Sequence, residues 1–212
     1  MTAPATSKIQ RNSFIARTFD GGNSWTEIPE NYKPKAEKGE ALFAASGTNI
    51  RVLDRDEAVF VTGGRKSRVF IRDQVIDLPI IQGKETTGAN SIAVMDAYNR
   101  KGGKTMIVVG GDFNNPKSDT LNCFFSNDRG KTWKASKKPP MGYRSSVEYL
   151  SEKHIVTTGL TGVDYSMDGG NTWKLISNEG FHACRIAKNG STVFMVGGNG
   201  KIGKLVYPER TR

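Results

Sequence analysis

One eight-residue pattern occurs three times and constrains the fold more than any other feature of the chain. Thr18 Phe19 Asp20 Gly21 Gly22 Asn23 Ser24 Trp25 returns as Ser126 Asn127 Asp128 Arg129 Gly130 Lys131 Thr132 Trp133, and again as Ser166 Met167 Asp168 Gly169 Gly170 Asn171 Thr172 Trp173. All three Trp residues of the protein belong to it. Recurrence of this kind predicts a repeat architecture, in which each unit buries its apolar face only against its neighbours.

The residue types predict a tight turn between two strands. Asp and Ser/Thr side chains bond nearby backbone amides, and Gly supplies positive φ without a Cβ clash. Trp then opens the next strand and buries its ring between neighbouring sheets. Asp20, Trp25, Asp128, Trp133, Asp168 and Trp173 are therefore read as scaffold, and the aspartates as turn staples in preference to catalytic or metal-binding groups.

Spacing locates a hidden unit. Asp128 and Asp168 lie 40 residues apart, whereas Asp20 and Asp128 lie 108 apart, a gap that suits two units of about 40 to 50 residues. Arg68 to Asp73 fits the missing turn, with its Gly and Trp lost. Strands running into glycine give the same register at Val59–Gly64, Ile107–Gly111, Ile155–Gly159 and Val193–Gly198, each read as the second strand of a unit. A glycine-led innermost strand precedes each, at Gly39–Phe43, Gly88–Ile92, Gly142–Ser146 and Gly180–Cys184.

No helical periodicity competes. The expected fold is an all-β propeller of four-stranded antiparallel blades, about four to five being present. One propeller domain is expected over residues 13–207, with blades at about 13–28 (partial), 39–79, 88–137, 142–177 and 180–207. Residues 1–12 are expected to be disordered, and 208–212 to form a tail. Open sheet edges raise the question of closure. The terminal strands either complete a small ring or belong to a longer propeller lacking its first blades; the second is the expectation.

The Ser/Thr-x-Asp-x-Gly-x-Ser/Thr-Trp pattern resembles the Asp-box, or BNR repeat, of sialidase-like propellers. Beyond it, Phe14–Gly22, Ala45–Arg51, Ile80–Glu85, Gly142–Tyr149 and Gly197–Gly200 closely resemble the photosystem II stability/assembly factor-like propellers of non-photosynthetic bacteria, over nearly everything after Ser13. That resemblance implies a propeller that binds a partner, with no established reaction, in an exported protein. The Met1–Gln10 segment carries no apolar run of a signal peptide, and the compartment stays open.

In a propeller, ligands gather where the innermost strands begin, and function has to be argued from that site. Aligning the glycine-led strands brings Glu40, Asn90, Tyr143, Arg144 and His182 to one mouth, a polar face suited to a protein loop, a small molecule or a glycan. A sialidase-like hydrolase is the alternative. It needs paired carboxylates or a Tyr nucleophile, for which Glu40, Glu85, Asp96, Glu148 and Tyr149 are available. Glu148 and Tyr149 are adjacent on a strand and point to opposite faces, and no arginine triad stands out.

Other chemistries fail on spacing. Gly198 Asn199 Gly200 Lys201 Ile202 Gly203 spells a dinucleotide fingerprint but lacks the following helix and acidic residue; it reads as a hairpin turn. His154, His182, Cys123 and Cys184 offer no metal-ligand spacing, so no metal and no cofactor is expected. Asn189 Gly190 Ser191 reads as a turn. The chain's 31 Lys and Arg against 21 Asp and Glu give a net charge of +10. The basic residues are spread along the chain, and Arg65, Lys66, Lys137 and Lys138 lack interleaved aromatics, so nucleic acid is not an expected partner. No apolar stretch is long enough to span a membrane.

Overall fold

A computed structural model describes residues 15–54, 57–95, 103–188 and 192–206. Asp96 and the Asn189–Ser191 turn lie outside these residues, as do the terminal segments 1–12 and 208–212. The chain divides into two compact units, residues 1–38 and 39–212.

In the smaller unit, β1 (Ala16–Arg17) and β2 (Thr26–Glu27) form an antiparallel hairpin around the first repeated turn. Trp25 is 65% exposed, against the expectation that every repeat Trp buries its ring. Two strands of two residues each offer no sheet face large enough to cover an indole.

The larger unit holds β3 (Glu40–Ala41), β4 (Ile50–Asp54), β5 (Glu57–Val61), β6 (Gly63–Gly64), β7 (Arg68–Ile71), β8 (Gln74–Asp77), β9 (Thr87–Val94), β10 (Met106–Asp112), β11 (Cys123–Ser126) and β12 (Lys134–Ala135). These are followed by β13 (Ser146–Tyr149), β14 (Ile155–Gly159), β15 (Gly162–Ser166), β16 (Lys174–Ser177), β17 (Ala183–Ile186), β18 (Thr192–Val196) and β19 (Ile202–Val206). They make four antiparallel blades: β4-β5-β7-β8, β9-β10-β11-β12, β13-β14-β15-β16 and β17-β18-β19. The blades stand in a ring, the arrangement of a β-propeller. The innermost strands pack β4 on β9, β9 on β13 and β13 on β17.

Period-two alternation explains how each blade faces two neighbours. In β10, Met106 and Val108 enter an apolar cluster with Val59, Val69 and Ile71 of the first blade, while Ile107 and Val109 enter one with Val147, Ile155 and Trp173 of the third. A third cluster joins Val156 and Val163 to Cys184, Val193 and Met195 of the fourth blade. The strand-into-glycine pattern has a steric cause. A Cβ on Gly110 would lie 1.8 Å from the Gly88 carbonyl oxygen, and one on Gly159 would lie 2.1 Å from that of Tyr143, so only glycine lets the second strand press against the start of the innermost one.

One expected strand is placed differently. Gly39–Phe43 is not the innermost strand of the first blade; that strand is β4. β3 instead pairs with β6, and Gly63 of β6 pairs with Gly88 of β9, which extends the second blade's sheet past its inner edge. The glycine-led signal proper to β4 is Gly47 Thr48 Asn49 Ile50.

Candidate functional site

The three repeated turns share one bonding scheme. In the second blade, the Ser126 hydroxyl donates to Asp128 Oδ1 (2.8 Å) and accepts from Gly130 N (2.9 Å), while Thr132 donates from its amide to Oδ1 (2.9 Å) and from its hydroxyl to Oδ2 (2.6 Å). Asp168 is held in the same way by Ser166 and Thr172, and Asp20 by Thr18 and Ser24. The Thr132 side-chain and backbone bonds hold the Asp128 carboxyl down at about 2. Both carboxylate oxygens of each aspartate are engaged inside its own turn. Where Asp73 replaces the pattern, β7 and β8 are joined by the bare pair Arg72-Asp73, with Arg72 at φ 57°.

Near the axis the inner strands are tied by small hydroxyls. Thr48 Oγ1 donates to Ser91 Oγ at 2.6 Å, Ser91 Oγ accepts from Val147 N at 3.1 Å, and Ser146 Oγ accepts from Cys184 N at 3.1 Å. Thr and Ser suit this position because their hydroxyls pair with backbone across a gap too narrow for larger side chains. Both cysteines are buried in the clusters between blades, Cys184 on an innermost strand and Cys123 on a third strand, and burial pushes each thiol up to about 12.

The five residues aligned by sequence at the mouth do not act as one face. Arg144 is fully buried, its Nε donating to Asp164 Oδ2 at 2.7 Å and its Nη1 to Thr161 Oγ1 at 2.8 Å. Glu40 is likewise enclosed, accepting from Arg68 Nε at 2.9 Å and from the Thr62 hydroxyl at 2.5 Å. Both are buried ion pairs internal to the scaffold. The His182 side chain is exposed and lies outside the cavity described next.

Asn90 and Tyr143 do come together. The Tyr143 hydroxyl donates to Asn90 Oδ1 at 2.8 Å, and burial pushes its pKa up to about 12. They line a cavity of about 300 Å³ with Leu42, Phe43, Thr86 and Phe113. The Phe113 ring meets Tyr143 edge-on, centroids 5.7 Å apart. Phe113 is 53% and Leu42 42% exposed, so the cavity has an apolar rim open to solvent. The sequence reading missed Phe113; its signal is an aromatic residue standing in the polar stretch Asp112–Asp119.

Where the inner strands finish there is a second cleft, of about 430 Å³, to which all four blades contribute. Its polar centre is Glu148, whose Oε1 accepts from Arg51 Nη2 at 2.9 Å and from Arg185 Nη1 at 2.8 Å. Arg51 also donates from Nε to Ile92 O (2.8 Å) and from Nη2 to Val147 O (3.1 Å), and Arg185 from Nη2 to Gly47 O (3.1 Å). The arginines thus bridge segments 37 to 138 residues apart in sequence, which is why no local motif announced them. Tyr149 also lines this cleft, and its hydroxyl is buried with no partner among the described residues.

No family model and no curated protein matches the chain. Solved structures similar to it include the following two. One is YCF48 bound to D1 peptide, with a TM-score of 0.46 and 12% identity over 78% of this chain and 55% of that one. The other is the computationally designed Ika4 protein, with a TM-score of 0.47 and 11% identity over 79% and 97%. The chain therefore spans about half the length of the first.

Proposed function

We propose that this chain is a non-catalytic binding propeller of the photosystem II stability/assembly factor-like kind, that its three repeated turns are Asp-boxes, and that it seats an apolar side chain of a protein partner in the Phe113–Tyr143 cavity. The supporting observation is the half-exposed rim of Phe113 and Leu42 over a cavity whose main polar groups, Asn90 and Tyr143, are bonded to each other. An aromatic in a concave, mostly apolar setting is the usual anchor point for a partner residue.

The hydrolase alternative has less support. Each of the two cavities contains a single carboxylate, Glu85 in one and Glu148 in the other, whereas glycoside cleavage calls for two groups flanking one bond. Glu148 is held between two guanidinium groups, and burial raises the pKa of the Tyr149 hydroxyl, away from the nucleophilic form.

The test is a random peptide array and a glycan array probed with the labelled chain, alongside Phe113→Ala. Retention of peptides rich in aromatic or branched apolar residues, weakened roughly tenfold or more in the variant, is the expected result. Glycan retention indifferent to Phe113, or release of a fluorogenic sialoside, would overturn it.

A further inference from the structure

The cleft around Arg51, Glu148 and Arg185 is separate from the Phe113–Tyr143 cavity, and its chemistry is specific. Glu148 Oε1 takes both arginine bonds, leaving Oε2 with no hydrogen bond among the described residues. On either side, Arg51 Nη1 and Arg185 Nε likewise donate to nothing described. One acceptor thus stands between two sets of unengaged cationic donors. Val52, Val94, Met95, Leu150 and Ile186 supply apolar walls beside them.

We propose that this cleft binds a small α-amino acid with an apolar side chain. The carboxylate would meet the free guanidinium N–H groups, the ammonium would meet Glu148 Oε2, and the side chain would lie on the apolar walls. A simple carboxylate satisfies the donors but puts like charge beside Oε2. A simple amine meets Oε2 but faces two guanidinium groups. Only a molecule carrying both charged groups on one carbon answers all three polar positions, and charge-assisted bonds make each of them count. The volume accommodates such a ligand and falls within the range of small-molecule sites. Because Arg185 is 46% exposed at its side chain while Arg51 and Glu148 are mostly buried, Arg185 is the member placed to meet an incoming ligand.

Calorimetric titration of the full chain with L-leucine, leucinamide and 4-methylpentanoate tests this, with Arg185→Gln as the variant. L-leucine is expected to bind, and leucinamide and 4-methylpentanoate each to bind roughly tenfold or more weakly, as expected for one lost charge-assisted bond. Arg185→Gln should weaken leucine by a similar factor. No heat with L-leucine at millimolar concentration would overturn the proposal. So would 4-methylpentanoate binding as tightly as leucine, which would make the cleft a plain anion site. The analogue series uses the unaltered chain and stands whatever the variant does to folding.

Discussion

At the scale of single residues, the repeated turns show how far side-chain chemistry dictates backbone shape. In each turn two consecutive residues hold positive φ: Gly21 and Gly22, Arg129 and Gly130, Gly169 and Gly170. Arg129 is the exception in type, at φ 65°, and a non-glycine residue there carries backbone strain. Arg129→Gly is expected to stabilise by about 0.5 to 1 kcal/mol, the relief of strain exceeding the added chain entropy, read as a rise in Tm by calorimetry. Asp128 gives a second prediction, with a definite sign. Its pKa is depressed in the fold to about 2 from an unfolded value of about 3.9. The stability it confers is therefore fully present above pH 4 and is lost as pH falls through about 2. The Tm gap between the wild type and Asp128→Asn should be constant from neutral pH to about 5 and should close on further acidification. A gap that stays open down to pH 2 would mean that the carboxylate charge is not what the turn uses.

At the scale of the element, the strands and turns were legible because they are local. Glycine, β-branched runs and the eight-residue pattern placed the second strands at β5, β10, β14 and β18, and the last blade with three strands. Partner choice was not legible. Gly39–Phe43 carries the same local signal as Gly142–Ser146, yet β3 pairs with β6 because that edge, brought close by Gly63 and Gly88, accepts it. The same limit explains the site. Asn90 with Tyr143, Arg144 with Asp164, and Glu148 with both arginines are pairings across 20 to 97 residues that no spacing rule encodes, so a polar face read from alignment mixed cavity lining with enclosed ion pairs. The Trp residues carry the element-scale prediction. Trp173 is 3% exposed within the cluster between the second and third blades, its indole N–H donating to Gly170 O at 3.0 Å; Trp133 only borders the first cluster, and its N–H has no partner among the described residues. Trp173→Ala is expected to destabilise by about 3 to 5 kcal/mol, Trp133→Ala by less, and Trp25→Ala by no more than about 0.5 kcal/mol. Denaturant midpoints of the three variants check the order.

At the scale of the whole 39–212 unit, the four blades are not held alike. Three junctions contain apolar clusters, whereas among the described residues no such cluster joins the fourth blade to the first; the bond from Arg185 to Gly47 and the shared Glu148 do so instead. The consequence shows in side-chain exposure. All seven residues of β10 are buried, because both of its faces meet a neighbouring blade. In β18, Val193 and Met195 pack on the third blade while Phe194 and Val196 stay 48% and 50% exposed. A blade packed on one side loses less buried apolar surface when it detaches, so its opening free energy should fall below that of global unfolding. Native-state hydrogen exchange across low denaturant concentrations is therefore expected to show the β18 amides exchanging through a partial opening well before those of β10, whose exchange should follow global unfolding. Arg185→Gln should speed β18 exchange further while leaving β10 almost unchanged, since it loosens the polar tie without touching the three clusters. Exchange of β18 and β10 at the same free energy would mean that the ring opens as one unit and that the arginine tie equals an apolar junction in strength.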